Sequence, residues 1–494
     1  MNIEEMLRST VGWPAGGDTS VDFSKTEPYE YRIEHDSIGE KKIPAEAYYG
    51  IQSMRAAENF RITGLDTHPE MLCAIAYIKK AAALTNCSTG ALGRDIADAI
   101  AQACDEILDG GFRSDFIVDP MQGGAGTSLN MNANEVIANR AIEILGGTKG
   151  DYSLVHPNDH VNLGQSTNDV IPTAGKMAAI RMLTRLRLQL QVLHLALSKK
   201  SEEFDHVIKM GRTQMQDAVP IRLGQEFKAY ADAVERSILR IEKAGDELRI
   251  INLGGTAIGT GVNAEDEYIS KIVPVLCDIS GIDLVQADDL IDATQNLDPF
   301  VSVSGVVKTC AVTLSKISND LRLMSSGPKA GFGEITLPAR QSGSSIMPGK
   351  INPVIPEVVN QVAFNAIGND TTIALAAEAG QLELNAFLPI IFYNLFQSID
   401  TLGFAVETFA DNCITGITAN EERCRQLVES SVGIVTTLAA VVGYDKATDI
   451  AKKALIQDRP VREIILEEGL LDEEEVTRLL DPARMTGAGG EDKN

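Results

Sequence analysis

The sequence predicts four loops that are dense in small hydroxyl, amide and glycine residues, which bind small anions through neutral donors and exposed backbone N–H groups. In chain order they are residues 122–132, 156–169, 211–217 and 343–353. Any one of them alone is typical of turns or helix caps. Together they supply many neutral donors and one candidate cation, Lys350, and this combination predicts a binding site for a small polyanion.

The fourth segment, 343–353, reads Gly-Ser-Ser-Ile-Met-Pro-Gly-Lys-Ile-Asn-Pro and carries the most informative pattern. Gly343 and Gly349 permit unusual backbone angles, whereas Pro348 and Pro353 stiffen the end of the segment. Pro353 also suits the first turn of a following helix. We therefore expect a loop that closes over a ligand and presents two adjacent serines among backbone amides. A serine-rich linker between helices is the simpler alternative.

Two nucleotide-binding motifs can be excluded by counting positions. Gly-Ala-Gly at 124–126 begins like a dinucleotide-binding fingerprint, but Leu129 stands where the third glycine is required. Gly-Lys at 349–350 ends like a phosphate-binding loop, but Ser344 replaces the earlier glycine and Ile351 replaces the final hydroxyl residue. Neither segment is therefore expected to bind a nucleotide.

The sequence also gives no pattern for a metal centre. His156 and His160 are four residues apart, but Pro157 lies between them and no glutamate stands at the position that a zinc protease needs. A structural role or a peripheral anion contact is the better interpretation of this pair. We expect no metal site and no required cofactor. Activation by a divalent metal ion stays open, at a position that the sequence does not locate.

Composition excludes several classes of protein. The chain has 494 residues, of which 44% are hydrophobic and 23% are charged, as expected for a folded protein of two or three domains. Its formal net charge of −25 argues against nucleic acid as a partner, because general binding to nucleic acid requires a basic face. The same charge repels anionic substrates at long range, so any bound anion must be held by local donors.

Cysteine usage and hydropathy predict a cytoplasmic protein. The seven cysteines include no CxxC pair, which favours reduced thiols over a disulfide framework. No signal peptide is apparent at the start. An uninterrupted apolar run of about 18 residues or more, as a membrane span requires, is absent. We therefore expect no association with a membrane.

The middle of the chain predicts a bundle of unusually long helices. Apolar residues recur there at alternating spacings of three and four, and β-branched alternating runs are scarce. The clearest series is Leu183, Leu186, Leu190, Leu193 and Leu197. Helices on the order of 30 residues have more apolar surface than one small domain can bury, which predicts contacts with other subunits.

Changes in composition divide the chain into four parts. Residues 1–31 are polar and irregular and are interpreted as an N-terminal arm. Residues 32–165 mix helices with polar loops, and residues 166–421 hold the long-helix bundle. Residues 422–494 are charge-dense and predict a small C-terminal helical domain.

The sequence of 343–353 is similar to the signature of the aspartase/fumarase superfamily. The resemblance runs from about Arg32 to about Leu480 and includes all four polar segments in the same order. It implies a mainly α, three-domain subunit whose central helices join those of three other subunits in a tetrameric helical core. It also implies active sites where loops from three subunits meet.

Two branches of this superfamily differ in the group that they eliminate. Fumarases typically carry Thr-Gly-Ser-Gly-Thr-Gln in the first segment, where this chain has Gly-Gly-Ala-Gly-Thr-Ser at 123–128. They have Gly-Arg-Thr-His in the third segment, whereas Gln214 follows Thr213 here. The stretches 368–372 and 376–381 are also aspartase-like. The resemblance therefore favours reversible elimination of ammonia from L-aspartate to give fumarate. A class II fumarase is the alternative, and a catalytically silent relative of the lens-crystallin kind is a remote one.

The resemblance also implies roles for individual residues. Ser344 is the expected base, which as an alkoxide removes a proton from C3 of the substrate. The resulting aci-carboxylate needs preorganised donors, each worth roughly 3–4 kcal/mol. Gln214 stands where fumarases have a histidine that works with a glutamate, matched here by Glu357, so no imidazole relay is expected. The residues expected to bind substrate are Thr127, Ser166, Thr167, Asn168, Thr213, Gln214, Lys350 and Asn352.

Overall fold

The structure is a computed structural model that describes residues 30–486, and most of this part of the chain is helical. The prediction of a mainly α fold is therefore confirmed. The predicted N-terminal arm, residues 1–31, lies almost entirely outside the described residues.

The helices and strands are numbered here in chain order. The helices are α1 (Ile51–Asn59), α2 (Pro69–Thr89), α3 (Arg94–Leu108), α4 (Thr127–Ile144), α5 (Thr167–Glu203), α6 (Leu223–Glu247), α7 (Asp266–Ser280), α8 (Leu290–Gln295), α9 (Asp298–Met324), α10 (Val354–Glu378), α11 (Leu388–Asn412), α12 (Glu421–Ser430), α13 (Val435–Val442), α14 (Tyr444–Gln457), α15 (Val461–Glu467), α16 (Glu473–Leu479) and α17 (Pro482–Met485). The strands are β1 (Tyr31–Asp36), β2 (Gly39–Pro44), β3 (Ile208–Thr213), β4 (Gln216–Arg222), β5 (Ile250–Ile251), β6 (Val285–Gln286), β7 (Ile335–Thr336) and β8 (Thr418–Ala419).

Five long helices form a closed ring in which each packs on two neighbours, in the order α5, α6, α9, α10, α11 and back to α5. The longest, α5, has 37 residues, so it extends for about 55 Å at the usual rise per residue. The leucine series predicted from the sequence lies on the buried face of α5, and each of its members is at most 3% exposed. The predicted seam of the bundle is therefore confirmed.

Helix α9 is long and apolar enough to pass a length-and-hydropathy test for a membrane span, and it alone does so among residues 30–486. The core helix of a folded bundle passes the same test. Its buried positions include Phe300, Val307, Leu314 and Leu321, and it packs on α6 and α10. Its hydropathy therefore follows from its place in the ring.

Two hydrophobic cores hold most of the described chain together. The larger core joins α2, α3 and α4 to the five-helix ring without a break near residue 165. A smaller core lies among the C-terminal helices between Val428 and Leu480, and it includes Met210 of β3. The domain boundaries predicted from composition stay predictions.

The strands are few and short, and each sheet has two strands. The antiparallel pair β3–β4 is a hairpin that follows α5 directly, with Thr213 opposite Gln216 at its tip. The third polar segment, expected to be a loop, is therefore mostly strand. The parallel pair β5–β6 and the antiparallel pair β7–β8 connect segments that lie far apart in the sequence.

Candidate active site

Three of the four polar segments lie at the start of a helix, where unpaired backbone N–H groups and the helix dipole favour an anion. Helix α4 begins at Thr127, so the first segment is a loop only as far as Gly126. A Cβ atom on Gly126, whose φ is +93°, would stand 2.9 Å from the Ile171 side chain, so glycine is required there. Thr127 Oγ1 donates a hydrogen bond to the carbonyl oxygen of Gly124 at 2.7 Å.

The second segment ends in a complete capping box at the start of α5. Ser166 Oγ accepts a hydrogen bond from the backbone N–H of Asn168, and Asp169 Oδ1 accepts one from the backbone N–H of Ser166 at 2.9 Å. The side chain of Asn168 donates to the carbonyl oxygen of Ala257 at 2.7 Å. Three of the predicted substrate-binding residues, Ser166, Thr167 and Asn168, are thus fixed on consecutive positions of a rigid helix start.

A buried amide network brings the first and second segments together. Asn130, one turn after Thr127 on α4, donates to Thr167 Oγ1 at 3.4 Å and to Asn162 Oδ1 at 3.2 Å. Asn162 Oδ1 also accepts a hydrogen bond from Lys79 Nζ at 2.8 Å. Thr127 and Thr167 are therefore held in one local structure, as expected for residues of a common site.

Lys79 is fully buried, and sequence analysis did not identify it. Its ammonium group donates to two neutral amide oxygens, those of Asn162 and Gln165, at 2.8 and 3.0 Å. Burial lowers the pKa of Lys79 to about 7, although the attraction of Asp169 acts to raise this pKa and offsets part of the effect. The available signal was a lysine in the middle of the apolar, alanine-rich helix α2.

The carboxylate that attracts this amine is Asp169, which is also fully buried. Burial raises the pKa of Asp169 to about 6, although backbone N–H groups of Ser166, Thr256 and Gly254 act in the opposite direction. Asp169 Oδ2 accepts from Gly254 and Thr256 at 3.1 and 3.0 Å. The first turn of α5 is thus tied to the segment that follows β5.

The fourth segment forms a loop that is closed at its neck by two hydrogen bonds. The N–H of Gly343 donates to the carbonyl oxygen of Lys350 at 3.0 Å, and Asn352 Nδ2 donates to the carbonyl oxygen of Gly343 at 2.6 Å. A Cβ atom on Gly343 would clash with the carbonyl oxygen of Lys350, so the neck requires glycine. The loop therefore brings together Ser344, Lys350 and Asn352, three of the predicted site residues.

Within this loop the hydroxyl oxygen of Ser344 faces backbone donors. It accepts hydrogen bonds from the N–H groups of Ile346 at 3.2 Å and Met347 at 2.9 Å. Such bonds close a local turn, and they also stabilise negative charge on the oxygen atom. Lys350 and the apolar side chains of Ile346 and Met347 are exposed in the single chain.

The third segment places Thr213 and Gln214 at the exposed tip of the β3–β4 hairpin. Gln214 and Met215 both have positive φ values, 52° and 65°. This is the left-handed pattern of a two-residue type I′ hairpin turn, which usually contains Asn or Gly. Each such non-glycine residue costs on the order of 1 kcal/mol and persists where the surrounding structure enforces it.

The predicted site residues fall into two groups at opposite ends of the bundle. Thr167 begins α5 and Glu203 ends it, about 55 Å away. Residues 204–213 reach at most about 35 Å even when fully extended, so Thr213 stays roughly 20 Å or more from Thr167. A four-carbon dicarboxylate cannot bridge that gap within one chain.

The loop that carries Ser344 belongs to the end that holds the hairpin. Asn360, one to two turns into α10, donates to Ser315 Oγ at 2.8 Å in the C-terminal half of α9. The Sδ atom of Met324, the last residue of α9, lies 3.7 Å from Nζ of Lys209 on β3. Within the described part of the chain, every hydrogen bond of residues 343–353 stays inside the loop and the start of α10.

The histidine pair of the second segment has a local structural role. Residues Pro157–Val161 form one π-helical turn, and His156 Nδ1 accepts hydrogen bonds from the backbone N–H groups of Asn158 and Asp159. His160 Nδ1 accepts from the N–H of His156 at 2.9 Å. Between residues 30 and 486 no cluster of three or more His, Cys, Asp or Glu side chains could hold a metal ion, and the expectation about metals stays a prediction.

Comparison with protein families and curated proteins gives matches over most of the chain. A family model described as "Lyase" matches residues 39–368, and one described as "Fumarase C C-terminus" matches residues 434–487. The aspartate ammonia-lyase of Bacillus subtilis is 54% identical over 460 residues, which cover 93% of this chain and 97% of that protein. The aspartate ammonia-lyase of Helicobacter pylori is 53% identical over 456 residues, which cover 92% and 97%.

Solved structures of the same shape extend the comparison. A fumarate lyase:delta crystallin from Brucella melitensis, crystallised with cobalt, has a TM-score of 0.90 and 51% identity over 92% of this chain and 99% of that one. A class II fumarase from Schistosoma mansoni also has a TM-score of 0.90, with 35% identity over 93% and 100% of the two chains.

The ring of long helices and its four polar segments are thus those of a lyase of the aspartase/fumarase superfamily. This confirms the resemblance drawn from residues 343–353. The relatives that share more than half of their residues with this chain align over nearly its whole length. The chain belongs to the aspartate ammonia-lyase family.

We expect the Lys79→Met variant to alter the pH dependence of stability. The folded-state pKa of Lys79, about 7, lies below its ordinary value of 10.5, so between these values the unfolded chain binds the additional proton. Lys79 is therefore increasingly destabilising as pH falls through this window. From about pH 7 to about pH 9, wild type should gain stability relative to the variant, by at most about 1.4 kcal/mol per pH unit.

The difference in stability between wild type and Lys79→Met is measured from their thermal unfolding midpoints across this pH range. The matched control is Lys80→Met, because Lys80 is the next residue, is not buried, and pairs with Asp105 at 2.6 Å. The same pH dependence in both variants would show that the buried position of Lys79 has no such effect.

Proposed function

We propose that this chain catalyses the reversible elimination of ammonia from L-aspartate to give fumarate. The observation that carries the proposal is the hydroxyl oxygen of Ser344, which accepts two backbone hydrogen bonds inside the loop 343–353. Membership of the aspartate ammonia-lyase family supports the same reaction. A structural relative without activity would have no reason to keep this oxygen, Lys350 and Asn352 together.

In the proposed mechanism Ser344 acts as the base. A serine hydroxyl is ordinarily too weak an acid to serve as an alkoxide at neutral pH. The N–H groups of Ile346 and Met347 favour the charged form, and the start of α10 adds the positive end of a helix dipole. The alkoxide takes the proton from C3, and the electron pair of that C–H bond moves into the adjacent carboxylate.

The resulting aci-carboxylate carries additional negative charge and needs donors that are already in place. We assign this task to the starts of α4 and α5, with Ser166, Thr167 and Asn168, and to Lys350 and Asn352 from the loop. Thr127 joins this set when its hydroxyl exchanges its hydrogen bond to the carbonyl oxygen of Gly124 for one to substrate. The charge of the whole chain is strongly negative, so these local donors must outweigh the long-range repulsion of a dianionic substrate.

In the second step the electron pair returns to form the C2–C3 double bond while the C2–N bond breaks. An amine in its ammonium form leaves directly as ammonia and needs no added proton. Gln214, whose side chain does not titrate, is compatible with that departure and contacts the amine through its amide. Loss of hydroxide from malate would instead require an acid, and the position of Gln214 offers none.

A class II fumarase is the second candidate, favoured by the similarity in shape to the fumarase of Schistosoma mansoni. The glutamine at position 214 and the loop sequence at 123–128 argue against it. The contacts of Gln214 and Thr213 with substrate remain proposals, as do those of the other predicted site residues.

We further propose that the active form is a homotetramer in the cytoplasm, with each site built from several copies. Two groups of site residues at opposite ends of one bundle can meet only when different chains supply them. Helix α5 also carries a second apolar stripe opposite its buried seam, formed by Leu188, Val192 and Leu195, which are 52%, 53% and 61% exposed. A second copy of the chain covers such a stripe.

The direct test of the reaction follows fumarate by its ultraviolet absorbance with L-aspartate and, separately, with L-malate as substrate. We expect fumarate from L-aspartate together with an equal amount of ammonia, because Gln214 provides no acid for loss of hydroxide. Faster formation of fumarate from L-malate would replace the proposal with the fumarase alternative.

The role of the base is tested by Ser344→Ala with Ser345→Ala as its matched control. Removal of a general base typically costs about 10²- to 10⁴-fold in turnover, and we expect a loss in this range for Ser344 alone. Ser345 is adjacent, but its hydroxyl oxygen does not accept the two loop hydrogen bonds. Turnover close to wild type in Ser344→Ala would remove this residue from the mechanism.

Assembly is tested by Leu195→Glu on the exposed stripe of α5. A charge buried between copies is unfavourable, so sedimentation should show smaller species, and turnover per chain should fall with them. Leu455→Glu, the same substitution at an exposed leucine of α14 outside the ring, should leave both unchanged. Full activity in a species that sediments as a single chain would contradict the shared site.

A further inference from the structure

A buried cluster of four charged side chains lies at the base of the β3–β4 hairpin. Lys209 and Arg212 project from β3, Glu226 from α6, and Glu334 from the segment just before β7. Glu334 has no exposed surface and Lys209 is only 3% exposed. None of these residues belongs to the substrate-binding set proposed above.

The two carboxylates of this cluster have different partners. Glu334 Oε1 accepts a hydrogen bond from Arg212 Nη1 at 2.7 Å, and its Oε2 lies 3.2 Å from Lys209 Nζ. Glu226 Oε1 lies 2.9 Å from the same Lys209 Nζ but forms no ion pair with Arg212. Glu334 is thus the carboxylate that joins both cations of β3.

The backbone of Glu334 is held from two sides. Its N–H donates to the carbonyl oxygen of Met324 at the end of α9 at 2.9 Å, and its carbonyl oxygen accepts from the N–H of Asn420 at 2.8 Å. The guanidinium of Arg212 also stacks on the ring of Phe332, 4.1 Å from its centroid. Arg212 is therefore clamped between a fixed carboxylate and an aromatic face.

Arg212 immediately precedes Thr213 and Gln214, the two hairpin residues that contact substrate in the proposed site. The turn formed by Gln214 and Met215 is strained, and the tip makes few contacts within the chain because it is exposed. The anchors closest to the tip are thus Arg212 on β3 and its partner across the hairpin, Asp217, which accepts a hydrogen bond from Ser431 Oγ at 2.6 Å. Of the two, Arg212 has the buried carboxylate as its partner.

We propose that Glu334 is a positioning residue, which orients Thr213 and Gln214 toward substrate by fixing Arg212. The inference rests on the proposed function, because it assumes that the hairpin tip binds substrate. Glu334 does not touch the substrate. It acts through Arg212, so its loss should weaken substrate binding more than it slows proton abstraction at Ser344.

The test compares Glu334→Gln with Glu226→Gln. Both variants remove one negative charge from the same cluster, and both deprive Lys209 of an ion pair. Glu334→Gln alone removes the charge that pairs with Arg212. We expect KM for L-aspartate to rise about tenfold to a hundredfold in Glu334→Gln, with a much smaller change in kcat, since misplacement of a binding group typically costs this much. Glu226→Gln should keep the KM of wild type.

Thermal unfolding of both variants separates positioning from stability. A purely structural role predicts that the two variants lose stability alike and keep the same KM, and that result would overturn the inference. Arg212→Lys is the second variant, in case Glu334→Gln does not fold. It keeps the positive charge but loses the planar fork of donors, and it should show the same rise in KM.

Turnover of L-aspartate and of L-malate by the wild-type chain tests the proposed function and does not depend on the KM values of the variants. If wild type acts on L-malate and not on L-aspartate, the same KM comparison is made with L-malate, because both substrates would reach the same hairpin tip. An unchanged KM in Glu334→Gln and Arg212→Lys, with an active wild type, would overturn the positioning role alone.

Discussion

The length of helix α5 is the constraint on which the rest of the structure depends. Its 37 residues separate Ser166, Thr167 and Asn168 at one end from the hairpin that follows its other end. A helix in a packed ring cannot bend enough to close that distance. In the proposed site, a small dicarboxylate therefore needs residues from more than one chain, and the exposed apolar stripe on the same helix offers a surface for the proposed association.

Helix starts supply the positive potential that an acidic protein otherwise lacks. The first, second and fourth polar segments each lead into a helix, so their free N–H groups can point at an anion without any mobile charge. The buried amine of Lys79 lies behind Thr167, linked to it through the two amides of Asn162 and Asn130, and it adds a positive charge only below its lowered pKa of about 7. In the loop around Ser344, the backbone N–H groups of Ile346 and Met347 likewise donate to a single oxygen atom. Local dipoles in fixed positions thus offset a net charge of −25.

Sequence periodicity predicts the elements that depend on local interactions. The leucine seam of α5 has the spacing of a packed helix. The loop at 343–353 was predicted from its glycines and prolines. Resemblance to a family then selected Ser344 from the two adjacent serines, which the residues themselves did not distinguish.

Features that depend on distant contacts were missed. The sequence predicts a loop where the structure has the β3–β4 hairpin. The turn of this hairpin uses Gln214 and Met215 where Asn and Gly are usual, so the ordinary sequence signal of a hairpin is absent. The roles of Lys79 and Glu334 arise from partners 83 and 122 residues away in sequence. No periodic pattern encodes such pairs, because the packing of the whole bundle brings them together.

Complementation between two defective variants tests most directly whether one site draws on several chains. Ser344→Ala lacks the base at one end of the bundle, and Thr167→Val lacks a hydroxyl donor at the other. The two proteins are mixed, dissociated and reassembled, and formation of fumarate from L-aspartate is compared with that of each variant treated alone. The mixture should regain activity well above either parent, because some sites then combine an intact Ser344 with an intact Thr167 from different copies. Activity no higher than the average of the two parents would contradict it.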